Sequence, residues 1–340
     1  MRRKALLAVG LFAGLLAAMT SASAQDAGKP SEPAFAAAAR LGRGINILGY
    51  DGIWEGGTNA PFRLSNLKMI RDAGFAHVRI NFYGFKFMDD RNLLDEAVMK
   101  RMDNVIDTAV AAGLIPVIDE HDYGICQKTP EDCAIRLKEF WQQVASRYAG
   151  VYPQMVFEIL NEPGGSMTPE FWNILAGDVL RIIRATNPDR TVIVASMNSD
   201  KMDAIEDLKL PADDRNLIVT VHYYSPFNFT HQGAPWSWKL KFLTNVEWGS
   251  DSDKAKVTAD FDRVAQWARR ERRPIYLGEF GVYEAAGLPR RARWLSFVTR
   301  AAERNGWAWA YWQFDHDFAA FDTRGQRWIP DVVNALTPRR

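Results

Sequence analysis

The stretch "MVFEILNEPGG", residues 155–165, begins as a buried strand and ends in polar residues. Residues 155–160 are apolar or strand-forming apart from Glu158, and Asn161 and Glu162 follow at once. An ionisable side chain at the end of a buried strand is costly unless a partner or a function retains it. The stretch therefore predicts a central strand whose carboxyl end carries a functional glutamate.

Similar short runs recur along the chain and alternate with amphipathic stretches. The eight candidate strands are residues 42–48, 77–81, 115–119, 155–160, 191–195, 217–223, 275–280 and 307–312. Helical patterns are predicted at residues 64–73, 94–112, 134–148, 169–185, 200–208, 258–271, 289–305 and 330–336. Eight strand–helix repeats over about 300 residues predict an α/β fold, a single-domain (β/α)8 TIM barrel. A doubly wound open sheet is the alternative, but the turn after the first strand, "GYDGIWEGG", lacks its usual glycine pattern.

The N-terminal region predicts export. Residues 1–24 combine a basic start, a short apolar run and a small-residue cleavage site, and are predicted to be a signal peptide. An uncleaved anchor is the alternative. Residues 25–39, rich in Ala and Pro, are predicted to be a flexible tether, and residues 40–340 the catalytic domain. The expected product is a monomer in the periplasm or the medium, free of the membrane after cleavage.

Composition and cysteine content narrow the function. A net charge of +1 argues against nucleic acid or an anionic membrane as a partner, and aromatic residues, 12% of the chain, suit stacking on sugar faces. Cys126 and Cys133 are close in sequence, which in an exported chain predicts a disulfide, with two free thiols as the alternative. No second Cys or His pair has zinc-ligand spacing, so neither a metal nor a cofactor is expected.

In a TIM barrel the active site lies at the carboxyl ends of the strands. Glu162 and Glu279 end the fourth and seventh strands, which face each other across the barrel. Two carboxyl groups flanking a pocket are suited to glycosidic bond cleavage, one as a general acid and the other as a nucleophile. The other polar or flat side chains expected at this end are Arg79, His121, Asn161, His222, Tyr224 and Trp312.

Several of these residues have structural interpretations as well. Arg79 is expected to bind Glu279, but it is equally a candidate partner for Glu158, and both roles are compatible. Trp312 is a candidate either for packing or for stacking on a sugar. The remaining histidines, His77, His231 and His316, are expected to be structural or exposed.

The motifs "FEILNEPGG", "VTVHYYSP", "YLGEFGVY" and "WAYWQFD", with "HVRIN" and "DEHDY", resemble those of glycoside hydrolase family 5. The resemblance runs from about Arg43 to Leu336. It implies a retaining (β/α)8 hydrolase that needs no metal and acts on a β-linked polysaccharide.

Carried over by motif, the resemblance implies that Glu162 is the acid/base and Glu279 the nucleophile. Asn161 is then the contact to the sugar 2-hydroxyl, and the shell around the two glutamates consists of Arg79, His121, His222, Tyr224 and Trp312. The third-strand motif departs from the family pattern, because His121 is followed by Asp122 rather than by His or Asn.

The substrate prediction depends on the loops. The segment from Tyr224 to Val257 is long, and its Trp236, Trp238 and Trp248, together with Trp54, are candidate platforms along a groove or pins that hold the loops. Without a separate binding module, soluble or amorphous β-glucan is favoured over crystalline cellulose, and the predicted activity is that of an endo-β-1,4-glucanase acting on β-1,4-linked glucan, including mixed-linkage glucan. The alternatives are a mannanase or xyloglucanase of the same family, a non-catalytic carbohydrate-binding barrel, and a metal-dependent barrel hydrolase.

Overall fold

The computed structural model describes residues 33–57 and 60–338. The predicted signal peptide and the first part of the predicted tether lie outside these residues. Within the described ranges no helix combines the length and the apolar character that a membrane crossing requires.

Eight parallel strands close into a barrel in sequence order, which confirms the predicted (β/α)8 fold. The strands are β1 (Arg43–Ile47), β2 (His77–Phe82), β3 (Ile115–Glu120), β4 (Val156–Glu158), β5 (Val192–Ala195), β6 (Leu217–Tyr223), β7 (Ile275–Phe280) and β8 (Ala308–Tyr311). Each corresponds to a predicted strand. A two-stranded antiparallel hairpin follows, β9 (Phe321–Asp322) and β10 (Arg327–Trp328), which the sequence patterns did not predict.

Helices between successive strands lie around the outside of the barrel. The helices are α1 (Pro33–Leu41), α2 (Ser65–Asp72), α3 (Glu96–Ala111), α4 (Tyr123–Cys126), α5 (Pro130–Arg147), α6 (Pro169–Thr186), α7 (Met197–Asp200), α8 (Phe227–Thr230), α9 (Asp251–Glu271), α10 (Leu288–Arg304) and α11 (Pro330–Leu336). Helix α1 precedes β1, and α11 follows β10. The segment α7 is a turn rather than a regular helix, because its residues 198 and 199 have left-handed backbone angles.

The prediction of a flexible tether is wrong over residues 33–39, which belong to α1. This helix buries Ala34, Ala37, Ala38 and Leu41, an i, i+3, i+4, i+7 stripe, against residues of the barrel interior. The Leu41 carbonyl lies 2.7 Å from Nδ1 of His77, a buried side chain of β2. Alanine favours helix, and proline is tolerated in a helix's first turn, so the composition that indicated a tether is also that of a short helix.

The loop after β6 ends earlier than predicted. Helix α9 begins at Asp251, where Ser250 and Asp253 form a capping box, and the short α8 lies within the loop. None of residues 251–256 is buried, so the apolar period begins only at Val257, next to the predicted helix start at residue 258.

Buried tryptophans attach the outer helices to the mouth of the barrel. The indole N–H of Trp141 on α5 donates to the carbonyl of Ile159 at 2.8 Å, and that of Trp172 on α6 donates to the carbonyl of Ala195 at 2.9 Å. Both carbonyls lie at the point where a strand passes into a mouth loop. These bonds fix the height and direction of the segments that carry the polar residues.

The predicted disulfide is confirmed. Cys126 and Cys133 are bonded to each other and link α4 to the first turn of α5. The bridge closes the loop directly after His121, on the side of the barrel mouth formed by β3.

Candidate active site

The carboxyl ends of the strands surround a cleft of about 1240 Å³. Eight of the sequence-predicted site residues line it: His121, Asn161, Glu162, His222, Tyr224, Trp236, Glu279 and Trp312. Arg79 lies beneath the floor of the cleft and contacts residues that line it. Trp54 is elsewhere. The volume exceeds that of typical small-molecule pockets, roughly 300–1,000 Å³, and suits a chain of several sugar units.

Glu279 is held by two donors. Nη1 of Arg79 donates to Oε1 at 2.8 Å, and the Tyr224 hydroxyl donates to Oε2 at 3.0 Å. Both contacts favour a negative charge on this carboxylate and fix its orientation toward the cleft. A carboxylate presented in this way is suited to attack at an electrophilic carbon.

Glu162 is in a different environment. Its backbone is left-handed, with φ of 47°, and its N–H donates to Oδ2 of Asp200 at 3.0 Å. The side chain is 21% exposed, and its Oε1 lies 3.0 Å from Nδ1 of His222. Burial raises the pKa of Glu162 to about 7. This carboxyl therefore keeps a proton in mildly acidic solution, as a general acid must.

The two glutamates are close together. An oxygen of Glu162 and an oxygen of Glu279 lie within 4.8 Å of each other, and both are within the same distance of a His222 ring nitrogen. Burial lowers the pKa of His222 to about 4, so this imidazole is neutral near pH 7. Two carboxyl groups at this separation, one protonated and one held by donors, can cleave a glycosidic bond without a metal or cofactor.

Beneath the cleft, Arg79 joins the strands in one network. Its guanidinium binds Glu158 at 2.7 and 3.0 Å as well as Glu279, so both expected roles of Arg79 are present. It also donates to the amide oxygen of Asn161 at 2.8 Å and lies 3.1 Å from Asp119. The bond to Asn161 leaves that residue's NH₂ group as the donor available to the cleft.

His121 and Trp312 form one wall. Their rings are stacked, with centroids 5.7 Å apart and planes 4° from parallel. Nδ1 of His121 lies 2.5 Å from Asp119, and burial lowers the pKa of His121 to about 4. The neighbouring Asp122, where the motif departs from the family pattern, accepts the backbone N–H of Phe85 at 2.7 Å and does not line the cleft.

A family model described as cellulase, glycosyl hydrolase family 5, matches residues 41–317. The chain belongs to glycosyl hydrolase family 5. It is 28% identical to endoglucanase H of Acetivibrio thermocellus over 330 residues, which covers 93% of this chain but only 35% of that longer protein. It is 27% identical to cellodextrinase A of Ruminococcus flavefaciens, covering 71% of this chain and 75% of that protein.

Solved structures of similar proteins also match this chain. The endoglucanase Cel5A of Thermotoga maritima superposes with a TM-score of 0.84 at 37% identity, covering 90% of this chain and 99% of that one. The cellulose synthase subunit Z of Clostridioides difficile superposes at 0.82 with 33% identity, covering 87% and 99%. The family 5 fold therefore extends over nearly all of the described residues.

The aromatic residues of this family 5 barrel divide into rim and core. Trp236 lines the cleft with 53% of its surface exposed, in edge contact with Tyr283. The expectation that Trp54 faces the groove is wrong: it is 3% exposed and packs on Phe82 with centroids 5.0 Å apart. Trp248 is also buried and pins its loop to the barrel.

Sequence reasoning missed several residues of this site. Asp119 and Asn46 bind Arg79 from neighbouring strands, and both are polar residues inside apolar runs, the same signal that identified Glu162. Tyr50 lines the cleft and meets Trp312 edge-on at 5.9 Å. Asp200 lies in a polar turn, so no interrupted apolar run marks it in the sequence.

Proposed function

We propose that this protein is a retaining endo-β-1,4-glucanase with Glu162 as acid/base and Glu279 as nucleophile. The observation that carries the proposal is the carboxylate pair, whose oxygens approach within 4.8 Å. Retaining glycosidases place the two carboxyl groups about 5–5.5 Å apart, whereas inverting enzymes leave roughly 6.5–9.5 Å for a water molecule. The separation here supports double displacement.

In the proposed mechanism each of the two glutamates has a defined role. Glu279, held by Arg79 and Tyr224, attacks the anomeric carbon while Glu162 donates its proton to the leaving oxygen, and a covalent glycosyl-enzyme forms. Glu162, now a carboxylate, takes a proton from water, which displaces Glu279 and restores both groups. Because Arg79 occupies the amide oxygen of Asn161, the proposed contact to the sugar 2-hydroxyl is made by the NH₂ group of Asn161.

The proposed substrate is β-1,4-linked glucan, including mixed-linkage β-glucan. The size of the cleft and the exposed face of Trp236 suit a polysaccharide chain. The named relatives are endoglucanases and a cellodextrinase. The Thermotoga maritima Cel5A has been solved with cellobiose and with mannotriose, so mannan is the appropriate comparison substrate.

A substrate panel tests the proposal. Carboxymethyl cellulose, mixed-linkage β-glucan, xyloglucan, mannan and xylan are assayed with wild type, Glu279→Gln and the control Glu303→Gln. Glu303 pairs with Arg43 on the exterior of the barrel, so its variant is expected to retain activity. We expect β-glucan hydrolysis that Glu279→Gln abolishes, with the β-anomer appearing first in proton NMR. A first product of α configuration would refute retention.

The role of Glu162 has its own test. Glu162→Ala is expected to slow polymer hydrolysis heavily while sparing the first step on aryl glycosides with good leaving groups, which need no acid. Because burial raises the pKa of Glu162 to about 7, wild-type kcat/KM on polymer should fall as pH rises above that value. Equal losses on both substrates would show that Glu162 is not the acid.

Export as a monomer is also proposed. The disulfide supports an oxidising compartment, because such bonds persist outside the cytosol. Mass spectrometry of the exported protein should find an N-terminus after residue 24, and light scattering should give the monomer mass. Retention of Met1 or a dimer mass would contradict the respective prediction.

A further inference from the structure

Asp200 is a buried acid directly behind the proposed acid/base, and the mechanism above does not use it. Its side chain is fully buried in the turn that follows β5. Asn198, Ser199 and Asp200 have φ angles of 58°, 61° and 56°, three successive non-glycine residues in the left-handed region. Such backbone costs about 1–2 kcal/mol per residue, so the surrounding contacts must hold it in place.

The carboxylate of Asp200 contacts the backbone of Glu162 directly and lies near His222, which contacts the Glu162 side chain. Its Oδ2 accepts the backbone N–H of Glu162 at 3.0 Å, which fixes the left-handed backbone of that residue. The same oxygen lies 3.7 Å from Nε2 of His222, whose Nδ1 lies 3.0 Å from the Glu162 carboxyl. Asp200, His222 and Glu162 therefore form a row of polar groups with one gap of 3.7 Å, which we call the Asp200 relay.

Two atoms of this relay are incompletely satisfied. Among the residues that the structure describes, Oδ1 of Asp200 and Nε2 of His222 have no hydrogen-bond partner, although both are buried. Buried polar atoms without partners are rare and costly. At 3.7 Å Asp200 and Nε2 are not hydrogen-bonded, so a hydrogen bond between them requires the carboxylate to turn about Oδ2 and bring Oδ1 toward the ring.

We propose that Asp200 is a positioning residue that, through His222, keeps the proton of the acid/base on Glu162. A proton on Nε2, facing Asp200, leaves Nδ1 unprotonated, so that Nδ1 accepts the O–H of Glu162. The only proton that leaves in the first step is the one that Glu162 gives to the leaving oxygen, and the incoming water returns it. The proton between Asp200 and His222 stays in place throughout.

Several ionisable groups surround the relay. The ionisable groups that face it are Glu158 and Glu162 from β4 and its loop, His222 from β6, Arg79 from β2, His121 after β3, Glu279 from β7, and the adjacent Lys201. Burial, reinforced by the carboxylates of Glu162 and Glu158, raises the pKa of Asp200 well above its usual range. A hydrogen bond from the Nε2–H of His222 acts against that rise, because a donor stabilises the charged form of a carboxyl group.

Asp200→Asn is the decisive variant. Asparagine keeps its amide oxygen as the acceptor for the Glu162 backbone, and in the turned position its NH₂ group replaces Oδ1 and presents a donor to Nε2. The ring proton is then forced onto Nδ1, where it donates to Glu162 and favours the carboxylate. We expect the alkaline limb of kcat/KM on β-glucan to move about one pH unit lower, since a hydrogen bond to the charged form lowers a carboxyl pKa. Activity on an aryl glycoside with a good leaving group should be spared.

The control is Asp103→Asn, the same substitution on α3, where Asp103 pairs with Arg147 outside the barrel. Its pH profile should match wild type. An unshifted profile in Asp200→Asn, or equal loss on polymer and aryl glycoside, overturns the proposal.

A second measurement does not depend on the variant folding. Nitrogen-15 NMR of the wild-type imidazoles, of which the sequence contains five, reports the tautomer of His222. Protonation at Nε2 with Nδ1 bare supports the relay, and the opposite tautomer overturns it. The inference rests on the proposed role of Glu162. Failure of that role appears as equal losses in Glu162→Ala, whereas failure of the relay leaves the Glu162→Ala result intact.

Discussion

Replacing Arg79 with methionine should destabilise the barrel in a pH-dependent manner. The guanidinium is 0% exposed and lies within 3.1 Å of carboxylate oxygens from Glu158, Glu279 and Asp119. Methionine approximates the volume and supplies no donor. The three carboxylates then remain in the floor of the cleft without their common partner.

The size of the effect follows from the burial. Removing one partner of a buried ion pair typically costs about 3–5 kcal/mol, because the remaining charge is uncompensated. Unfolding entropy near 2.1 cal/mol/K per residue gives roughly 0.6 kcal/mol/K for a domain of about 300 residues. A loss of this size therefore lowers Tm by about 5–8 °C.

The pH dependence has a definite sign. Burial raises the pKa of Asp119 to about 7 and that of Glu158 above its usual range even with Arg79 present, and losing Arg79 raises both further. A carboxyl whose folded pKa is above its unfolded value binds its proton more readily in the folded state. Its contribution to the free energy of unfolding therefore falls as pH rises from about 4 through the folded pKa. The Tm deficit of Arg79→Met should be smaller at pH 5 than at pH 8.

Scanning calorimetry at both pH values measures this directly. Arg79→Lys is the companion variant: it retains the charge but cannot reproduce the forked contacts to Glu158 and Glu279, and should give an intermediate deficit. A Tm of Arg79→Met within about 1 °C of wild type at pH 8 would refute the reasoning. A deficit of equal size at pH 5 and pH 8 would refute its electrostatic part.

Three further predictions concern single contacts. Trp236→Ala should raise KM on polymer several-fold without changing Tm. Trp54→Ala, at a buried site, should cost about 3–5 kcal/mol of stability and leave KM unchanged. The reverse pattern would reject both assignments. Gly278→Ala should lower kcat, because a Cβ there would lie 3.1 Å from Nε2 of His222 and 2.5 Å from the Thr220 hydroxyl. Wild-type kinetics in this variant would show that the His222 ring moves freely. Replacing Cys126 and Cys133 together with serine should cost about 2.5 kcal/mol, measured as a lower Tm in non-reducing buffer, and an unchanged Tm would show that the bridge adds nothing.

The barrel could be predicted because its strands are buried on both faces. Parallel strands covered by helices read as nearly continuous apolar runs, and all eight runs in this chain became strands of the barrel. Helix starts were harder to predict. The first turns of α9 carry few buried side chains and show no apolar period, and α1 has the composition of a linker although it packs against the inside of the barrel.

The site was predictable to the extent that its residues interrupt apolar strands. Glu162 and Glu279 stand out for this reason, and the structure brings them together. Asp200 does not, because Asn198 and Ser199 precede it and the three residues resemble a solvated turn. Trp54 illustrates the opposite error, since an aromatic residue in a loop gives no local signal for whether it faces the cleft or the core.

The different roles proposed for the two glutamates follow from which carboxylates the guanidinium of Arg79 contacts. The guanidinium of Arg79 donates to Glu279 but makes no described hydrogen bond with the Glu162 side chain, which has the neutral His222 as its hydrogen-bonding partner. Negative charge is therefore stabilised on Glu279 and a proton on Glu162, before any substrate arrives. Exchanging either residue for aspartate would shorten its reach by one methylene without changing this distribution. We therefore expect such variants to lose rate while the pH at which the acid titrates stays near that of wild type. A large shift in that pH would show that side-chain length, rather than the placement of Arg79 and His222, sets the roles.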